Sequence, residues 1–153
     1  MRWLELRIPP PVVALLTAAA MGATARLGAG VELPPLVRTA AVAVLLSFAA
    51  LCGPAAIAAF RRARTTVDPT RPEKASSLVT TGIYRLSRNP MYLALAVALG
   101  AWAVWLAVPW CALGPLAFAG YLTRFQIVPE ERVMHQKFGA AYDDYRRRTR
   151  RWL

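Results

Sequence analysis

Two groups of chemistry-bearing side chains stand at the ends of apolar stretches. The first lies in "GIYRLSRNPMYLA", residues 82–94, and comprises Tyr84, Arg85, Arg88, Asn89 and Tyr92. The second is the adjacent pair Glu130 and Glu131. Guanidinium groups grip carboxylates through a planar fork, and carboxylates receive ammonium groups and hydroxyls. Tyrosine and asparagine each donate and accept. Brought together, these residues make a pocket with one cationic and one anionic wall. The same types also suit a membrane interface, where arginines snorkel to headgroups, tyrosines join an aromatic belt and glutamates complement a helix N-terminus. Composition leaves both readings open. No metal site is expected: His135 is the only histidine, and Cys52 and Cys111 lie in separate apolar stretches with no ligand spacing. The cysteines read as small packing residues and His135 as a polar surface residue.

The elements that must position these groups follow from the distribution of charge. Ile8–Ala25, Thr39–Phe60 and Met91–Thr123 contain no charged residue. Each is long enough for a membrane span, which needs about 20 mostly apolar residues. The last would measure roughly 50 Å as one helix, too long for a hydrocarbon core of about 30 Å. It therefore reads as two spans with a turn at Pro109, between Trp105 and Trp110. The expected fold is all-α: a polytopic integral membrane protein with about four transmembrane helices, near 8–27, 37–60, 89–107 and 109–128.

Pro129, with two glutamates in the following turn, marks the start of a further helix. Met134, Phe138, Ala141, Tyr142 and Tyr145 form one face of it, so it reads as an amphipathic cytoplasmic helix, with Gly139 as a bend or a point of close approach. Asn89 is placed to cap the third helix, and Gly53-Pro54 to kink the second. Pro69 and Pro72 interrupt the polar connector. In domain terms, 1–60 is an N-terminal helix pair, 61–88 a cytoplasmic connector, and 89–153 a hairpin with a C-terminal cofactor-binding helix, together one membrane domain.

Basic residues gather at 61–88 and after residue 128, so the positive-inside rule puts both termini and the connector in the cytoplasm. The net charge of +11 is read as topology and affinity for anionic membrane lipids rather than for nucleic acid. The N-terminal stretch ends in Ala23-Thr24-Ala25 like a cleavable signal peptide, but Glu5 and Pro9-Pro10-Pro11 favour a retained helix.

The order Gly82, Tyr84, Arg85, then Arg88, Asn89, Pro90, Tyr92, then Glu130, Glu131, then Phe138, Gly139, Tyr142, Tyr145 and Arg151 resembles the isoprenylcysteine carboxyl methyltransferase family. That family groups with the membrane phospholipid N-methyltransferases. The resemblance covers roughly 65–153; the first two helices match it only as hydrophobic segments. Asn89 stands where histidine is usual, Ile83 where proline is common and Ala94 where glycine is common. Asparagine keeps a donor and an acceptor but is no general base at neutral pH.

The resemblance implies methyl transfer from S-adenosylmethionine to a lipophilic or lipid acceptor, in a bacterial inner membrane. The implied cofactor-binding set is Tyr84, Arg85, Arg88, Asn89, Tyr92, Glu130, Glu131, Phe138, Gly139 and Tyr142. Arg88 suits the cofactor's carboxylate, and the glutamates its ammonium or ribose diol. Glu131, Tyr92 and Arg88 are the expected catalytic residues, with Glu131 the leading base should the acceptor need one. The alternatives are an NADPH-dependent membrane reductase of sterol-reductase type and a non-catalytic membrane protein of the same fold.

Overall fold

Prolines open the first three helices. Helix α1 is Pro10–Ala25, α2 is Pro35–Arg62 and α3 is Pro90–Leu106. Proline's fixed φ suits a first helical turn, where its missing N–H has no helical partner to lose. After a 3-10 turn at Pro109–Ala112, α4 runs Leu113–Leu122, a π-turn covers Thr123–Ile127, and α5 follows at Val128–Phe138. Helix α6 is Ala140–Arg148. The computed structural model describes residues 2–66, 68 and 71–153, and of Arg2 the backbone alone. Among the described residues there is no strand, and the fold is all-helical. Pro69, expected to interrupt the connector, lies outside the described residues; Pro72 begins a short 3-10 turn.

Three local expectations are corrected. Pro129 does not open a new segment: α4, the π-turn and α5 form one unbroken helical run from Leu113 to Phe138. Gly139 does not bend a helix but ends one, with φ +49° and ψ −125°, and α6 starts in a new direction after it. That left-handed backbone favours glycine, which has no Cβ to clash. Asn89 sits at the N-cap position of α3 without capping it, because its side chain is engaged elsewhere.

The continuous run through Pro129 has a physical explanation. A proline has no N–H for the carbonyl four residues back, and its ring crowds that carbonyl. The carbonyl here belongs to Phe125, inside the π-turn, whose wider spacing relieves the crowding. The Phe125 oxygen accepts instead from the Leu6 N–H at 3.0 Å. In α2, Pro54 lies inside 28 residues of helix without ending it.

Helix α2 is the helix long and apolar enough, among the described residues, to cross a membrane; α1 and α3 are apolar but shorter. At about 1.5 Å per residue its 28 residues extend ~42 Å. Large apolar side chains point outward from several helices: Leu15 is 70% exposed, Leu36 80%, Leu51 73% and Leu116 68%. A surface this rich in apolar contacts fits lipid rather than water.

Inside, α2 packs along α3, and α3 also meets α1 and α4. Phe118, Leu122 and Ile127 are fully buried at the centre, with Val13, Met21 and Leu99 around them. Cys52 and Cys111 are both buried, as expected of packing residues. Where helices face lipid tails, transfer from water no longer drives association, and close packing of small residues takes over. Gly28 shows this at the end remote from the polar clusters: a Cβ there would overlap the Trp110 ring. A second, smaller cluster of Ala56, Val79, Tyr84, Tyr142 and Tyr145 joins the connector and α6 to the polar end.

Candidate functional site

At that polar end, where α2 finishes and α3 begins, the helices enclose a cavity of about 280 Å³. This lies near the low end of the roughly 300–1,000 Å³ usual for small-molecule sites. Phe60 of α2, Val79 and Tyr84 of the connector, Tyr92 of α3, Glu130 of α5 and Tyr142 of α6 all reach it. An apolar part of its lining includes Pro10, Met91, Leu95 and Ile127.

Glu130 faces this space. Tyr92 Oη donates to its Oε1 at 2.6 Å, and Gln126 Nε2 donates to the same oxygen at 2.6 Å. Among the described residues no cation pairs with it. Burial away from water pushes its carboxyl up to about 7, against the two hydrogen bonds, which favour the charged form.

Glu131, one position on, has the opposite environment. Arg88 Nη2 lies 2.7 Å from Oε1, and Arg151 grips the carboxylate with Nε at 3.0 Å and Nη2 at 2.7 Å. Burial pushes this carboxyl up, but the hydrogen bonds and charges of the two arginines outweigh it. The group ends below the usual range.

Arg88 also ties down the end of the chain. Its backbone N–H donates to the Arg150 carbonyl at 2.9 Å, and Nη1 donates to the Thr149 carbonyl at 2.7 Å. Asn89 Nδ2 and Ser87 Oγ donate to the Arg151 carbonyl at 2.9 and 3.3 Å. Trp152 Nε1 donates to Thr123 Oγ1 in the π-turn at 3.2 Å. Residues 149–152 thus strap α3 to α5. Among the described residues Arg88 Nε has no hydrogen-bond partner, and it is buried beside the cavity.

Among the residues picked from sequence, Tyr84, Arg88, Asn89, Tyr92, Glu130, Glu131 and Tyr142 converge on the cavity. Tyr84 is buried, and its carbonyl accepts from Tyr145 Oη at 2.7 Å. Burial raises the phenol pKa of Tyr84 and Tyr145, and that of Tyr142 to about 12, so all three stay protonated. Three residues stand apart. Arg85 is exposed, Phe138 packs behind the tyrosine cluster, and Gly139 forms the α5–α6 break. Gln126 and Tyr145 were missed as site residues. Gln126 reaches Glu130 across one helical turn, a signal that i, i+4 spacing carries. His135, expected at the surface, is exposed and lies 3.1 Å from Asp143 across the break.

No solved structure matches the chain. A protein of Haemophilus influenzae described as uncharacterised is 41% identical over 63 residues, which are 41% of this chain and all of that protein. The family model of the phospholipid methyltransferases matches residues 37–141. That match starts inside α2, so the second helix belongs to the family region and is more than a generic apolar segment. It takes in both polar clusters and most of the cavity wall. The chain therefore belongs to the phospholipid methyltransferase family.

Proposed function

We propose that this protein is an integral membrane methyltransferase that uses S-adenosylmethionine and methylates a lipophilic acceptor, an isoprenylcysteine carboxylate or another small lipid. In this reading four helices cross a bacterial inner membrane, and both termini and the cavity mouth face the cytoplasm. The observation that carries it is the pairing, in one cavity, of an unpaired buried carboxylate on Glu130 with an unpartnered buried donor on Arg88. A zwitterionic amino-acid group satisfies both at once.

The residues fit the cofactor as follows. Glu130 receives its ammonium, and Arg88 Nε its carboxylate. The aromatic walls at Tyr84, Tyr92 and Tyr142 shield the remainder from water. When bound, the cofactor supplies a methyl group on a sulfonium cation. Such a reaction disperses positive charge, so a site of low polarity favours it, and alignment of nucleophile and methyl can contribute up to roughly 7–11 kcal/mol. The apolar wall at Met91, Leu95 and Ile127 supports an acceptor whose tail stays among the helices.

Geometry bears on the need for a base. Glu131, the base expected from sequence, is held ionised by two arginines and is a poor proton acceptor. Glu130 is raised to about 7 by burial, but once paired with the cofactor's ammonium it too would be ionised and no better a base. A carboxylate acceptor, which needs none, fits this arrangement.

Calorimetry on detergent-purified protein tests the reading. S-adenosylhomocysteine should bind and NADPH should not. NADPH binding alone would point to the reductase alternative, and binding of neither to a non-catalytic protein.

A further inference from the structure

The segment before α1, which lies outside the family match of residues 37–141, contacts the helical run that carries Glu130. Glu5 pairs with two half-exposed arginines, with Arg124 Nη1 at 3.0 Å and with Arg132 Nη2 at 2.7 Å. Both arginines belong to the helical run that crosses the π-turn, one inside it and one in α5. Their hydrogen bonds and charges hold the Glu5 carboxyl below the usual carboxylate range, Arg124's bond foremost and against the opposing effect of burial. The next residue, Leu6, supplies the N–H that Pro129 lacks, at 3.0 Å from the Phe125 carbonyl. Leu6 holds φ at +59°, a backbone state that a leucine adopts only where its surroundings impose it.

These contacts bracket Gln126 and Glu130. A π-turn inserts an extra residue into the helical spacing and so rotates everything after it. Were the run to relax to an ordinary α-helix, the residues beyond the π-turn would turn by about 100° relative to those before it. Glu130 and Gln126, which stay paired at i, i+4, would then swing together away from Tyr92, relative to the buried face of α4. Pro129 frees the Phe125 carbonyl, Leu6 occupies it, and Glu5 pins the run on either side.

We infer that Glu5 is a positioning residue: through Arg124, Arg132 and the Leu6–Phe125 hydrogen bond, it holds the π-turn that aims Gln126 and Glu130 into the cofactor site. The inference deepens the proposed function and rests on it for the identity of the ligand, though not for the geometry. Individual exposed ion pairs contribute little to stability. The role assigned to Glu5 is therefore one of register rather than of overall stability.

Two measurements on full-length protein in detergent separate the inference from the reading beneath it. In hydrogen–deuterium exchange, Glu5→Gln should speed exchange over residues 123–131 and leave α2 as protected as in the parent. A Glu5→Asp variant should lie closer to the parent. By calorimetry, Glu5→Gln should weaken S-adenosylhomocysteine binding about threefold to tenfold, the size of effect usual for residues that act through others. Unchanged exchange over 123–131 overturns the inference. So does faster exchange there with unchanged affinity. Exchange that rises evenly across all helices shows general destabilisation and also overturns it. If the parent itself binds no S-adenosylhomocysteine, the cofactor reading fails, and exchange still decides whether Glu5 holds the π-turn.

Discussion

Adjacent positions on an α-helix point about 100° apart, and that angle separates Glu130 from Glu131. Glu130 points to the cavity and meets two neutral donors; Glu131 points to the chain end and meets two guanidinium groups. Replacement by glutamine should therefore do different things. Glu131→Gln leaves Arg88 and Arg151 short of their shared counter-charge, so its main effect should be a lower melting temperature. Glu130→Gln removes a charge-assisted hydrogen bond to ligand. It should weaken S-adenosylhomocysteine binding about tenfold or more, at roughly 1.5–3 kcal/mol for such bonds, with a smaller change in melting. Equal affinity losses in the two variants would contradict the division.

The same carboxyl sets a pH dependence. Folding raises Glu130 from 4.5 to about 7, so between those values the folded chain holds a proton that the unfolded chain has lost. This group's contribution to stability is present below about pH 4.5 and is lost as pH rises to about 7. Binding of a cationic ammonium runs the other way, because it requires the ionised form. S-adenosylhomocysteine affinity should fall as pH drops below about 7, and titrations there in two buffers of different ionisation enthalpy should reveal proton release. Glu130→Gln should remove both effects. From sequence the two glutamates were visible as a pair, but not the difference between them. That difference depends on Arg88 and Arg151, 43 and 20 positions away.

At the scale of elements, the breaks carry more information than the helices. Uncharged apolar stretches disclosed α1, α2 and α3 to within a few residues, because hydrophobic length acts locally. The π-turn was not legible. It depends on a donor from Leu6, which no local pattern around Pro129 announces. Gly139 was visible as a bend or a point of close approach but not as a helix end, since its positive φ accompanies the packing of Tyr142 and Tyr145 of α6 against Tyr84. This makes Gly139→Ala a clean test. A Cβ there would meet no atom within 4 Å, so its cost is backbone strain alone, about 1–3 kcal/mol. The variant should melt at a lower temperature and lose S-adenosylhomocysteine affinity as the tyrosines shift. Melting equal to that of the parent would mean that α6 does not depend on this turn.

At the scale of the whole molecule, the question is which end faces which side of the membrane. The cavity lies at the end where α2 stops and α3 starts, and the bulk of the basic residues lie there too: the Arg61–Arg88 connector and the arginines after residue 128. The opposite end holds the Pro109–Ala112 turn, exposed Trp105 and Trp110, and few charges. Basic residues remain on the cytoplasmic side during insertion, and tryptophans settle at the headgroup level. On the proposed topology both features put the cavity on the cytoplasmic side, where the proposed cofactor would reach it. With the four spans proposed, the C-terminus would return to the side of the N-terminus. Among the described residues length and composition qualify α2 as a span, whereas α1 and α3 are apolar but shorter. Reporter fusions that are active only in the cytoplasm should therefore be active after Arg64 and after Leu153, and a fusion at Trp110 should be inactive. A cytoplasmic signal at Trp110 would leave α3 and α4 as a re-entrant hairpin, and an external signal after Leu153 would invert the C-terminal half. In either case the cofactor would have to reach Glu130 by a different route.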